Sequence, residues 1–110
     1  MSVQFQANGP TPIAVKLTTT GATIVAGDAS RPTLVDWFQC TEIAGRTPTL
    51  SIELYDGTTS VYLRNSKAML ANEEVLRTQG LALNAGQYLR VTASVANQVD
   101  VTGTVVLPRS

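Results

Sequence analysis

The sequence contains no histidine, and that absence removes most of the chemistry open to a small enzyme. Ser-His-Asp and Cys-His nucleophilic systems, imidazole general bases and the usual catalytic zinc sites all need an imidazole. Carboxylates and lysines are what remain. Glu73-Glu74 is the one adjacent carboxylate pair. On a strand, neighbouring side chains point to opposite faces, so the two cannot converge on one scissile bond; a solvated loop is the simpler reading. Asp28, Asp36, Asp56 and Asp100 lack the Asp-x-Asp spacing of a calcium loop. Asp28 reads as a side-chain-to-backbone turn bond near Ser30, and Asp56 as part of a hairpin turn. Asp36 reads as the partner of an arginine on another strand before it reads as a metal ligand. Lys16 and Lys67 are the only lysines; neither sits in a Ser-x-x-Lys motif, and there is no Gly-rich phosphate loop. A carboxylate hydrolase would need a cleft holding one carboxyl of raised pKa, and no constellation points to one. The expectation is a protein without catalysis, cofactor or metal.

Side chains suited to binding are few. Tyr55, Tyr62 and Tyr88 are candidate stacking surfaces for a sugar. Tyr55 and Tyr62 flank the same hairpin and form a possible ligand platform, with cross-strand packing as the plainer alternative. Trp37, the single tryptophan, reads as core first and binding platform second. Cys40 has no partner for an intrachain disulfide and lies in an apolar strand pattern, so it reads as a small buried hydrophobe rather than a reactive thiol.

The elements that must position these residues are strands. From Leu83 to Leu107, Leu89, Val91, Ala93 and Val95 alternate with Arg90, Thr92 and Ser94. Val99, Val101, Val105 and Leu107 then alternate with Asp100, Thr102 and Thr104, with Gly103 on the apolar side. A period of two gives each strand one buried and one polar face. Ala96-Asn97-Gln98 reads as a tight turn between them, since Asn tolerates the left-handed conformation. Thr49–Tyr55 and Thr58–Arg64 read as a hairpin about Asp56-Gly57, with Leu50, Ile52 and Leu54 inside. Ile13–Leu17 and Ala22–Val25 are short strands on either side of a threonine run. Thr33–Ala44 is a long strand with apolar residues in both phases, which implies burial on both faces or a bulge. Residues 65–79 are ambiguous. Ser66 could cap a short helix, but Leu70–Arg77 echoes Leu83–Arg90, and two successive turn-plus-strand units are the preferred reading. Gly80–Leu83 makes a further short strand. About eight short strands at regular spacing, with fifteen threonines and twelve valines suiting a pleated, half-buried surface, predict an all-β antiparallel sandwich, jelly-roll-like.

Residues 1–12 precede this pattern, and Gly9, Pro10 and Pro12 interrupt regular structure. The expected organisation is an N-terminal arm at 1–12 and a β-sandwich domain at 13–110. The arm reads either as a frayed end or as a segment lying on a neighbouring subunit, with Val3, Phe5, Pro10 and Pro12 as contacts. A chain of 110 residues is one domain and can bury roughly two-thirds of its unfolded surface. Eight basic and eight acidic residues are scattered singly. No basic stripe suggests nucleic acid and no long apolar run suggests a membrane span. The first residues carry neither a basic nor an apolar leader region, so synthesis in a cytoplasm is expected.

Leu83-Asn84-Ala85-Gly86-Gln87-Tyr88-Leu89-Arg90-Val91-Thr92-Ala93-Ser94, followed by Ala96-Asn97-Gln98-Val99-Asp100-Val101, resembles the closing run of small β-rich virion proteins of tailed bacteriophages. Thr20-Gly21-Ala22-Thr23-Ile24-Val25 and Val61-Tyr62-Leu63 after Asp56-Gly57 fit the same pattern. Gln87 departs from it, because an acidic residue is more typical there. The resemblance implies a structural role as a capsid decoration, a head-spike-base subunit, or a head–tail or tail component. It implies residence in the virion after synthesis in the host bacterial cytoplasm. The implied partners are other copies of itself (a trimer at first guess) and the major capsid protein or other virion proteins. A carbohydrate-binding β-sandwich using Tyr55 and Tyr62 is the alternative from the residues.

Overall fold

The computed structural model describes residues 10–18, 20–30 and 32–106. They form nine strands: β1 (Pro10–Lys16), β2 (Gly21–Ala26), β3 (Thr33–Glu42), β4 (Thr49–Tyr55), β5 (Ser60–Ala68), β6 (Glu74–Arg77), β7 (Leu81–Leu83), β8 (Tyr88–Ala93) and β9 (Val99–Val106). One sheet runs β1-β9-β3-β6, with β7 also on β3; the other runs β2-β8-β4-β5. Every pairing is antiparallel. With β7 set aside as a short extra strand beside β6, this is the strand order of an eight-stranded jelly roll. The predicted all-β jelly-roll-like sandwich is thus observed.

The core lies between the two sheets and follows the period-two pattern. Leu89, Val91 and Ala93 of β8 meet Val99, Val101 and Val105 of β9 and Val35, Phe38 and Cys40 of β3, joined by Leu17, Leu50, Ile52, Met69 and Leu83. Trp37 departs from expectation. The β3–β9 register slips between Val35 and Trp37, and the bulge reverses the phase of the strand. Val35 faces inward before it, Phe38, Cys40 and Glu42 after it, and Trp37 is half-buried on the outer side. The mixed apolar phases of β3 therefore reflect a bulge, and the tryptophan is not in the core.

The turn after β8 differs as well. Strands β8 and β9 belong to opposite sheets, so Ser94–Gln98 is an arch between sheets rather than a hairpin. Asn97 takes the left-handed conformation (φ 64°), and its N–H donates to the Leu17 carbonyl at 2.7 Å. Val95 falls on the arch, off the alternation, and is exposed. The hairpin β4–β5 does form, closed by a longer loop in which Tyr55 pairs with Ser60.

Residues 65–79 are strand and turn, without helix. Their echo of the later segment is real but lies one residue out of the register read from the sequence: Leu70–Glu73 matches Asn84–Gln87. In the first turn the Glu73 N–H donates to the Leu70 carbonyl, the Glu73 carboxylate accepts from the Leu70 N–H, and Asn72 is left-handed (φ 61°). In the second, Gln87 does the same for Asn84, with Gly86 left-handed (φ 83°). Val75 and Leu89 follow at equivalent places, and both are buried.

Pro10 and Pro12 belong to β1, opposite Val106 and Thr104. An edge strand tolerates proline because one side of it donates to nothing, so the sheet begins earlier than the expected boundary at residue 13. Val3 and Phe5 lie outside the described residues. At Gly103 β9 passes close against β3. A Cβ there would collide with the Trp37 carbonyl oxygen and the Phe38 backbone at the bulge. Gly103→Ala is therefore expected to cost about 1–3 kcal/mol, as overpacking of a filled core does. It should read as a lower urea midpoint with unchanged slope, whereas an unaltered midpoint would mean that the bulge relaxes freely.

Candidate functional site

Three places gather polar or exposed apolar side chains, and the first is structural. Glu42 ends β3 with 1% of its surface exposed. Its carboxylate accepts from the N–H groups of Ala44 (2.9 Å), Gly45 (2.9 Å), Arg46 (3.1 Å) and Asn72 (2.8 Å). It thereby ties the β3–β4 connection to the β5–β6 turn. Burial pushes this carboxyl up, and the four N–H groups, Asn72's first, outweigh that and hold it below the ordinary glutamate range. Every one of these donors is a main-chain group, three from the turn that follows and one from the β5–β6 turn, so the carboxylate is occupied and not poised for acid–base work. The sequence reading missed Glu42. Its signal is an acid at a strand end just ahead of the Gly45-Arg46 turn.

The other acids are similarly engaged. Asp56 accepts from the Thr58 and Thr59 N–H groups and the Thr58 hydroxyl, which lowers its pKa. Glu73 is held down by the Leu70 N–H and then by Lys67 at 3.1 Å, while Glu74 is exposed at the start of β6. Asp28 accepts from the Ser30 N–H at 2.9 Å, the turn bond anticipated for it. Asp36 is exposed and meets no arginine among the described residues. Burial raises the Cys40 thiol to about 12, which makes it a core side chain without nucleophilic character. Among the described residues no three acids or cysteines come together in a way that could hold a metal ion.

The second place is the outer face of the β2-β8-β4-β5 sheet. Arg90 stands opposite Thr23 on one side and Glu53 on the other, and Glu53 stands opposite Tyr62. Arg90 Nε lies 3.8 Å from the Glu53 carboxylate, and its guanidinium covers one face of the Tyr55 ring at 4.6 Å from the centroid. Tyr88 meets Tyr55 at a centroid distance of 6.4 Å, and the Tyr55 hydroxyl donates to the Gly57 carbonyl. Tyr55 and Tyr62 thus share a face as diagonal neighbours. Tyr55, however, is already stacked and hydrogen-bonded within the chain, and Tyr62 is the ring that remains open, 49% exposed.

The third place was not anticipated. Strand β5 ends one sheet and β6 ends the other on the same side, and a groove of about 270 Å³ opens between them. It is lined by Phe38, Ile52, Leu63, Val75 and Leu76, with Arg64 and Arg77 beside them. Val61, Leu70 and Leu76 are exposed on the strands and turn of this flank. Its walls lie far apart in the chain, so no local pattern announces it.

No family model matches the sequence, and no curated protein matches it. The fold is similar to solved structures of phage proteins. One is described as a pentameric capsid protein isolated from metagenomic phage sequences: the TM-score is 0.59 at 20% identity, over 92% of this chain and 62% of that one. A second structure, described in the same words and solved by iodide phasing, gives 0.54 at 22% identity over 92% and 63%. This chain thus spans a little under two-thirds of each neighbour's length, and at these identities the likeness is one of fold.

Glu42 makes stability depend on pH in a definite direction. A glutamate in the unfolded chain takes up its proton near pH 4.3, whereas folded Glu42 resists it to lower pH. Its contribution is complete above the unfolded value and is lost as the pH falls through the folded one. Urea titrations at stepped pH should show that acid loss in the parent. Glu42→Gln should be less stable near neutrality, with a flatter acid limb; parallel curves for the two proteins would remove Glu42 from the account.

Proposed function

We propose that the chain is a non-enzymatic structural subunit of a tailed-phage virion, a capsid decoration or head-spike-base subunit that assembles through contacts between its own copies. The observation that carries this reading is the likeness of fold, over almost the whole chain, to solved structures described as a phage capsid protein. The groove at the β5–β6 flank supports it. A sandwich this small gains stability by covering such surface in an assembly. Engaged carboxylates and an inert thiol are in keeping with a scaffold rather than a catalyst. On this reading the chain is made in the host cytoplasm and resides in the virion, with the major capsid protein as its second partner and neither nucleic acid nor membrane as a third. The sequence reading suggests three copies; the neighbours' description favours five, in a closed ring.

Co-expression with the major capsid protein of the same phage tests the proposal. The chain should sediment with assembled heads in a fixed ratio to the capsid protein. Recovery only with necks or tails would move it to a head–tail or tail role, and recovery with no particle would overturn the reading. The arm can be tested separately, and the deletion should stop at residue 9, because residues 10–12 pair with β9. Removing 1–9 should leave the circular dichroism of the folded sandwich unchanged while weakening assembly, and assembly that survives the deletion would make the arm only a tail.

The open ring of Tyr62 beside Glu53 and Arg90 favours a second reading, a carbohydrate-binding surface. A glycan array decides it. Binding of a defined glycan that Tyr62→Ala abolishes would support the module, and an array without signal would remove it.

A further inference from the structure

The sandwich is least complete at its β5–β6 flank. There the inner face is reached from outside: Phe38, Ile52 and Val75, all buried, form part of the groove lining, with the half-exposed Leu63 and exposed Leu76 beside them. At about 270 Å³ it is smaller than the pockets of roughly 300–1,000 Å³ that enclose small-molecule ligands. It has room for one or two side chains. Arg77 Nε is buried beside it with no hydrogen-bond partner among the described residues, and buried donors in folded proteins are normally paired. The groove therefore calls for an occupant with apolar side chains and a carbonyl acceptor. The outer edge of β5 adds a row of unpaired main-chain groups against which another strand can lie.

We propose that this groove receives residues 1–9 of a second copy of the chain, laid in as an extended strand with Val3 and Phe5 in the apolar lining. Two residues apart, Val3 and Phe5 share one face of a strand. The segment has no charged side chain to be buried against Arg64 and Arg77. Its main-chain carbonyls are acceptors for the Arg77 N–H. This is recognition by strand addition, in which main-chain bonds hold the segment and alternate side chains fill the pocket.

The occupant comes from another copy because of where the segment joins the fold. Pro10 opens β1, the edge strand at the opposite side of its sheet, separated from β6 by β9 and β3. Reaching its own groove means crossing three strand spacings, about 14 Å, and then turning over the flank. Phe5, five residues before Pro10, reaches at most about 17 Å from it, which leaves almost nothing for the turn. A neighbour placed with its β5–β6 flank against this β1 edge offers the direct route. That contact joins two different surfaces, and a contact of this kind repeated around an axis closes a ring. The inference rests on the assembly reading above and names the surface through which copies meet.

The test uses the full chain in two co-expressed forms, a tagged Phe5→Cys variant and an untagged Leu76→Cys variant, joined by a short bismaleimide. Cys40 is buried and does not compete. The expected product is a tagged–untagged pair absent from either variant alone. A cross-link that forms only within one chain, in the double variant Phe5→Cys/Leu76→Cys, would overturn the proposal in favour of the chain's own groove. An oligomer that assembles without the cross-link would overturn the groove and leave the assembly reading standing. A monomer without the cross-link would overturn both. Leu76→Asp provides a second measure. Leu76 is 53% exposed, so the fold should tolerate the change. Association should weaken roughly tenfold or more, as for an interface anchor; unchanged association would contradict the proposal.

Discussion

The fold depends on one seam, the meeting of the inner faces of β8 and β9 across the gap between the sheets. The two strands are consecutive in the chain and do not pair. Each instead takes an interior place in its own sheet, β8 between β2 and β4, β9 between β1 and β3. Leu89, Val91 and Ala93 on one and Val99, Val101 and Val105 on the other are all buried. Once the chain arches from one sheet to the other at Ser94–Gln98, the rest of the order follows. Of the remaining strands, β1, β2, β3, β4, β6 and β7 each bury at least one apolar side chain, and β5 buries none. The close passage at Gly103 lets β9 lie against the bulged β3, and Asn97 lets the arch turn back on Leu17. Burial of apolar area is the driving force here, and the hydrogen-bond ladders keep the exchange of water for backbone partners near neutral.

Much of this was legible from the sequence. Alternation identified the buried faces of β8, β9 and most of β4, the echo between Leu70–Arg77 and Leu83–Arg90 the strand character of residues 65–79, and turn chemistry the roles of Asp28, Asp56 and Asn97. What alternation cannot reveal is partnership. A turn with a left-handed Asn suits a hairpin and an arch alike, so the β8–β9 connection was misread and Val95 was given a buried place it does not have. Trp37 was misplaced for a related reason. A one-residue bulge inverts every side chain beyond it, and nothing in Val35-Asp36-Trp37-Phe38 marks which residue is the extra one. Glu42 was missed because hydropathy treats a charge at a strand end as solvent-facing, whereas four converging N–H groups can keep a carboxylate buried. The groove was missed because its walls come from strands that meet only at the sheet ends.

These corrections bear on function. A jelly roll hosts viral shell proteins and sugar-binding proteins alike, so the architecture alone does not choose between them. The surface does more. The tyrosine platform read from the sequence is partly spent on the chain's own contacts, since Arg90 lies over Tyr55 and Gly57 takes its hydroxyl. The β5–β6 flank is the reverse case. Leu76 is exposed there, and the buried Arg77 Nε has no hydrogen-bond partner among the described residues. A surface of that kind fits a subunit whose core is finished by a neighbour.

The central claim is therefore self-assembly, and native mass spectrometry of the purified full chain at micromolar concentration tests it most directly. The account predicts a single closed oligomer at an integer multiple of the 11.7 kDa chain, with the fivefold mass favoured over the threefold one. A spectrum holding only the monomer as concentration rises would contradict it.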